Sequence, residues 1–318
     1  MTSPLSVPPA DPAGNLRVKA FFHPQSSTLS YVLYDSVSND GVIIDGAVDY
    51  DPDSTKANFS NVDEIVAFVK ALAINIRAIL ETHIHADHLS AALHLKRNFF
   101  PLAPIAISTR AVAVQHLYHT DDRVTTPMLI GAVNPNTSTS WAPASIGSSI
   151  FDILLDDNST FSAGSLRLKV IPTPGHTPAC SSYYFEEAGL LFTGDALFMP
   201  DFGTGRCDFP GGSAEALYNS IHNVLYSLPD ATRVFVGHDY QPGGRGLAYE
   251  TTIGESKAKS AHIKASTTKD EFVAFRTGRD ASLPPPKLLL PSLRANLVGG
   301  ARPCPCPQSQ ECACENSR

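Results

Sequence analysis

Apolar and polar positions change period several times along the chain, and each change marks an element. Residues 30–34 and 41–44 are short β-rich runs separated by the turn cluster Ser36, Asn39 and Asp40, which predicts a hairpin. From residue 60 the period lengthens: Val62, Ile65, Val66, Val69 and Leu72 fall at helical spacing, and Ser60 with Asp63 makes a capping-box start. Residues 77–80 predict a buried strand. A second helix is expected to start just beyond it and to carry Leu89, Leu93 and Leu95, with His94 projecting from its side. Further strands are predicted at 166–171, 181–185, 189–192 and 233–236. Ser213 opens a helix with Leu217, Ile221, Val224 and Leu225 on one face, closed by Pro229. Periodicity alone supports a mixed α and β chain.

The polar residues that end these apolar runs carry the candidate chemistry. His83-Ile84-His85-Ala86-Asp87-His88 follows the strand at 77–80, at the carboxyl end, where open α/β sheets place their ligands. Imidazoles and carboxylates are ligands for zinc, iron or manganese, and one short loop can aim His83 and His85 at one metal and Asp87 and His88 at another. Three further candidates follow on turns: His176 in Pro174-Gly175-His176-Thr177, Asp195 in Thr193-Gly194-Asp195, and His238 in Val236-Gly237-His238-Asp239. Each alone is an ordinary turn residue. Together and in this order they predict one metal centre. His23, His94, His116, His119, His222 and His262 lack such company and are expected on the surface or behind the ligands.

Composition narrows the class. With 31 acidic against 24 basic side chains the net charge is −7, and there is no basic run of five, so a nucleic-acid surface is not expected. No apolar run is long enough for a bilayer or a secretory signal. The amino terminus is poor in arginine and carries Asp11, so a soluble cytoplasmic protein is expected, with a mitochondrial address left open. Cys180 and Cys207 are read as reduced thiols. Ligands running from residue 83 to residue 238 must converge, which predicts one domain over 18–300 after a proline-rich disordered leader, 1–17. Residues 125–149 predict a surface insertion. Residues 301–318, with Cys304-Pro305-Cys306 and Cys312-Ala313-Cys314, predict a flexible tail.

The order His-x-His-x-Asp-His, His, Asp, His resembles that of the metallo-β-lactamase superfamily. The surrounding words are similar to its persulfide dioxygenase and glyoxalase II branch, including the bacterial β-lactamase hydrolase-like group. They are Glu81-Thr82-His83-Ile84-His85-Ala86-Asp87-His88-Leu89-Ser90, Pro174-Gly175-His176-Thr177-Pro178-Ala179-Cys180, the stretch 197–212 containing Gly205-Arg206-Cys207-Asp208-Phe209, and His238-Asp239-Tyr240. The late segments Asp270-Glu271-Phe272-Val273 and Leu288-Leu289-Leu290-Pro291-Ser292-Leu293 fit as well. The resemblance implies an α+β fold, a four-layer αββα sandwich with the metal at one edge between the sheets.

Two chemistries compete for the same side chains. In one, His83, His85 and His176 hold a first Zn(II), Asp87, His88 and His238 a second, and Asp195 bridges them; hydroxide between the metals then attacks a thioester carbonyl. In the other, His83, His176 and Asp195 alone hold one Fe(II) per chain and are the catalytic residues, leaving positions for dioxygen and a persulfide. His85, Asp87, His88 and His238 then orient the ligands. The resemblance through residues 205–209 favours the second, a dioxygenase that turns glutathione persulfide into sulfite. It implies that Arg206 pairs with a substrate carboxylate and that Tyr240 places its hydroxyl near the substrate. A metal-binding scaffold without activity is opposed by the complete ligand set. The expected partner is a small molecule, glutathione persulfide or a thioester, with neither nucleic acid nor membrane; a homodimer is entertained, though nothing in the sequence fixes it.

Overall fold

Strand alternation builds the protein as two facing sheets. The computed structural model describes residues 14–118, 121 and 151–297. Strands Leu16–His23 (β1), Thr28–Asp35 (β2) and Asp40–Ile44 (β3) form an antiparallel meander, followed by the short Ala47–Asp51 (β4) and Lys56–Asn58 (β5). Helix Ser60–Ala71 (α1) leads into Asn75–Leu80 (β6), parallel to β3. Next come Leu89–Ser90 (β7), Ala92–Asn98 (α2), Ile105–Ser108 (β8), Ala111–Tyr118 (α3) and Ile153–Leu155 (β9). The first six-stranded sheet has the order β1-β2-β3-β6-β8-β9, and β5-β4-β7 form a small sheet beside it.

The second half repeats the plan. Thr160–Ala163 (β10), Leu166–Pro172 (β11), Ser181–Phe185 (β12) and Leu190–Phe192 (β13) precede Ala214–Asn219 (α4). Arg233–Phe235 (β14), Glu250–Thr252 (β15), Ile253–Lys259 (α5), Lys269–Asp280 (α6) and Leu289–Asn296 (α7) complete it. Its sheet runs in sequence order, β10 to β15, with β13 and β14 parallel.

Alternate residues explain the layering. Tyr31, Leu33, Val42, Ile44, Ala78 and Leu80 of the first sheet pack in one cluster with Val170, Tyr183, Phe185 and Phe192 of the second. Val32, Ile43 and Ile79, between them in sequence, pack instead on Val62, Ile65, Val66 and Val69 of α1, Leu95 of α2 and Leu293 of α7. Leu217, Ile221, Ile253 and Phe272, from the helices over the second sheet, join the first cluster. The architecture is thus α+β with two sheets between helical layers, as the family resemblance implied. No described helix is long and apolar enough to cross a membrane.

Several local expectations need correction. Ser60 does not cap α1: the N-cap position falls on Phe59, which gives no side-chain cap, and Asn58 Oδ1 accepts the Ser60 N–H at 2.9 Å. The Asx turn one residue earlier outcompetes the capping box. Leu72 lies beyond the helix and is 42% exposed. Leu89 sits in β7, and α2 starts only at Ala92. In the helix opened by Ser213, Leu217, Ile221 and Leu225 are buried, whereas Val224 faces outward, because a π-helical turn over Ser220–Val224 shifts the phase. His23 is fully buried, bonded to Ser30 at 2.9 Å. β1 begins at Leu16, inside the stretch assigned to the leader. Residues 1–13, 119, 125–149 and 301–318 lie outside the described residues.

Candidate metal centre

Each candidate ligand follows a buried strand. His83, His85, Asp87 and His88 lie on the loop after β6, His176 on the turn after β11, Asp195 just past β13 and His238 just past β14. The strand ends of both sheets therefore meet at one edge. Every candidate ligand except Asp87 is buried, and Asp87 is partly so.

Each histidine is held by one ring nitrogen. Nδ1 of His83 meets Thr82 Oγ1 at 2.9 Å, and Nδ1 of His176 donates to the Arg206 carbonyl at 2.7 Å. Nδ1 of His88 lies 3.2 Å from Thr28 Oγ1, and Nδ1 of His238 lies 3.2 Å from the Ser26 carbonyl and 3.5 Å from the same Thr28 oxygen. His85 is turned the other way, with Nε2 between Asp45 Oδ1 at 3.2 Å and Glu81 Oε2 at 3.1 Å. Such partners fix ring orientation and tautomer around a metal.

The opposite atoms converge. Nε2 of His83, Nδ1 of His85, Nε2 of His88, Oδ2 of Asp87 and Oδ1 of Asp195 are buried without a hydrogen-bond partner. Buried polar atoms are rarely left so, and a cation is the partner this donor set fits. Asp195 Oδ2 lies 3.9 Å from His83 Nε2 and 3.5 Å from His176 Nε2, and its Oδ1 lies 3.4 Å from His238 Nε2. His238 Nε2 is also 3.4 Å from Asp87 Oδ2. One ligand atom from each of His83, His176 and Asp195 gathers within 4.8 Å, as do atoms of His85, Asp87 and His88, and of Asp45, Glu81 and His85.

At His83 and Asp87 the electrostatics suit metal ligation. Burial and the neighbouring imidazoles of His85 and His176 hold His83 well below the usual histidine range, so it stays neutral and a competent ligand. Burial opposes charge on Asp87, but His238 and His88 outweigh it and keep the carboxylate ionised. Burial also opposes charge on His85; Asp45 and Glu81 override it and raise the imidazole well above its ordinary value.

The two residues given substrate roles sit differently. Tyr240 is 44% exposed, its ring stacked on His238 at 5.4 Å and 4.6 Å from the ring of Phe202. Burial of its hydroxyl end and then the charges of Asp87 and Asp195 raise its pKa well above normal, so the hydroxyl keeps its proton. The Arg206 guanidinium grips Asp208 through Nε and Nη2, both at 2.6 Å, and donates Nη1 to the Pro284 carbonyl at 2.8 Å. It lies 5.3 Å from the Phe209 ring, which in turn stands 5.3 Å from the ring of His176.

Sequence reading missed the supporting groups. Asp45 accepts from Thr82 N and Oγ1 as well as His85, and Asn296 Nδ2 donates to the His85 and His88 carbonyls at 2.9 and 2.7 Å. Arg110 clasps the His176 turn through the Pro178 and Cys180 carbonyls. Only Asp45 left a signal: a charged residue closing the apolar run 42–44, as Asp195 closes 190–192. Gly205 is required by space, since a Cβ there would lie 2.3 Å from the Asp195 carbonyl oxygen. Cys180 is buried, its thiol pushed up to about 12 by that burial, and Cys207 is raised for the same reason, so neither is a reactive thiolate.

Comparison with known proteins agrees with this geometry. The family model described as Metallo-beta-lactamase superfamily matches residues 24–238. A probable metallo-hydrolase of Burkholderia pseudomallei is 43% identical over 91% of this chain and 95% of its own. The mitochondrial persulfide dioxygenase ETHE1 of Bos taurus is 26% identical over 91% of this chain and 90% of its own. Among solved structures, ETHE1 from Myxococcus xanthus superposes with a TM-score of 0.66 at 27% identity, covering 89% of this chain and 99% of that one.

Proposed function

Because the chain belongs to the metallo-β-lactamase superfamily, a family of metal-dependent enzymes, we propose that it is an iron-dependent dioxygenase of glutathione persulfide. One persulfide, one dioxygen and one water give one glutathione, one sulfite and two protons. The observation that carries the reading is the grouping of ligand atoms: His83, His176 and Asp195 form one compact set, while His85, its Nε2 held by Asp45 and Glu81, groups separately with Asp87 and His88. Two histidines and one carboxylate are the face used by non-haem ferrous oxygenases. A ferrous ion held there would supply the redox-active, spin-matched centre that dioxygen requires and zinc lacks.

The chain's own residues supply the rest. Thr82 and the Arg206 carbonyl fix the rings of His83 and His176 with Nε2 inward. Tyr240, protonated and stacked on His238, offers a hydrogen bond to substrate. Arg206, whose charge is secured by Asp208, attracts a carboxylate of the glutathione part, and His88, His238 and Asp87 line the neighbouring space.

The second reading is a dinuclear zinc hydrolase of a glutathione thioester or a related small acyl compound. It is favoured by the approach of Asp87 Oδ2 and Asp195 Oδ1 to His238 Nε2, each at 3.4 Å, and by the hydrolase name of the 43% identical relative. His85→Ala separates the two. Purified from iron-supplied cells, this variant keeps most of its iron under the dioxygenase reading, and complete loss of metal contradicts that reading.

A further inference from the structure

The loop that orients His176 is gripped from behind by a buried ion pair of helix α6. Arg276 is 1% exposed and Asp280 5%, and Arg276 Nε donates to Asp280 Oδ1 at 2.9 Å. Both residues have a further partner on the same loop. Arg276 Nη1 donates to the Thr204 carbonyl at 3.3 Å, and the Cys207 N–H donates to Asp280 Oδ2 at 2.8 Å. Between these two grips lie only Gly205 and Arg206. The Arg206 carbonyl accepts the His176 Nδ1–H at 2.7 Å, and Gly205 packs against the Asp195 carbonyl so closely that no Cβ fits. His262 adds a third hold, its Nδ1 accepting the Thr204 N–H at 3.2 Å.

We propose that Arg276 and Asp280 are positioning residues of the metal centre: they set the height of the 204–207 loop and thereby aim Nε2 of His176. A buried ion pair is a poor device for stability alone, because desolvating two charges offsets their attraction and apolar replacements of similar size often fold as well. Its use here is geometric. A carboxylate and a guanidinium place an acceptor and a donor on two backbone groups three residues apart, which no apolar pair can do. The inference rests on His176 as a ligand and holds whichever of the two reactions the centre performs.

The test uses full-length protein and the metal itself. Arg276→Met with Asp280→Leu removes both grips and both charges, and this double variant keeps the wild-type melting temperature to within a few degrees. Its Fe(II) affinity, measured by competition against a chromophoric chelator, falls by at least about 10-fold, the low end for lost outer-shell partners, and the visible bands of the Co(II)-loaded protein shift. Arg276→Met with Asp280→Asn retains an acceptor for the Cys207 N–H and restores part of that affinity. Wild-type Fe(II) affinity and Co(II) bands in either folded double variant overturn the proposal. A His176→Ala protein that keeps Fe(II) sinks instead the ligand assignment beneath it.

Discussion

Asp195 places Oδ2 3.5 Å from Nε2 of His176, whose other nitrogen is already committed to the Arg206 carbonyl. The imidazole can therefore turn neither away from the carboxylate nor to its other tautomer. Asp195→Asn keeps the shape and deletes the charge. We expect metal content to fall at least about 10-fold with the fold retained, as read by metal analysis and circular dichroism. Full metal content in the variant contradicts the assignment.

Thr28 distinguishes one metal from two. Its hydroxyl lies 3.2 Å from Nδ1 of His88 and 3.5 Å from Nδ1 of His238, and among the described residues it bonds neither His83 nor His176. Thr28→Val should leave iron content within about twofold of wild type under the dioxygenase reading. If two zincs are bound, the second weakens by roughly 10- to 100-fold, the range for outer-shell partners, and the zinc-to-chain ratio falls towards one.

Arg206 has two separable parts. Arg206→Met removes the guanidinium but leaves the carbonyl that orients His176. The expected result is unchanged metal content and a KM for glutathione persulfide raised roughly 10- to 100-fold, from the ~1.5–3 kcal/mol of a charged hydrogen bond. An unaltered KM removes Arg206 from the substrate site.

Asp40 ties the first sheet to the turn between β10 and β11. Burial opposes its charge, but the Arg77 side chain at 2.6 Å and the Ser165 N–H at 2.8 Å outweigh that and hold the carboxyl below its ordinary value of 3.8. The depressed pKa means that this stabilisation is present above that ordinary value and is lost as pH falls through the lower, folded one. Asp40→Asn should destabilise the protein at neutral pH by about 1–3 kcal/mol. Denaturant titrations at successively lower pH should show the difference from wild type narrowing below pH 3.8; a constant gap contradicts the argument.

The candidate ligands were legible because each is a polar residue that closes an apolar strand, and a buried strand has few other reasons to end on histidine or aspartate. His83, His176, Asp195 and His238 all follow this rule, and the superfamily order did the rest. Asp45 obeys it too, yet without histidines nearby it looks like any turn. Thr28 and Asn296 left no local trace, since their partners on the ligand loops lie between 60 and 211 residues away in sequence; Arg276 and Asp280 are a local i,i+4 pair, but only the tertiary fold joins them to Thr204 and Cys207, 72 and 73 residues away. The burial of His23 was equally invisible: its bond to Ser30 depends on the register of β1 against β2. The error at Ser60 was of another kind, a local competition that Asn58 wins.

The central claim is that dioxygen oxidises a persulfide at one ferrous ion that His83, His176 and Asp195 would hold. The direct measurement is oxygen uptake by metal-assayed protein given glutathione persulfide. The account predicts close to one iron per chain, with one dioxygen consumed for each sulfite formed. Two zincs per chain, thioester cleavage and no oxygen uptake would contradict it.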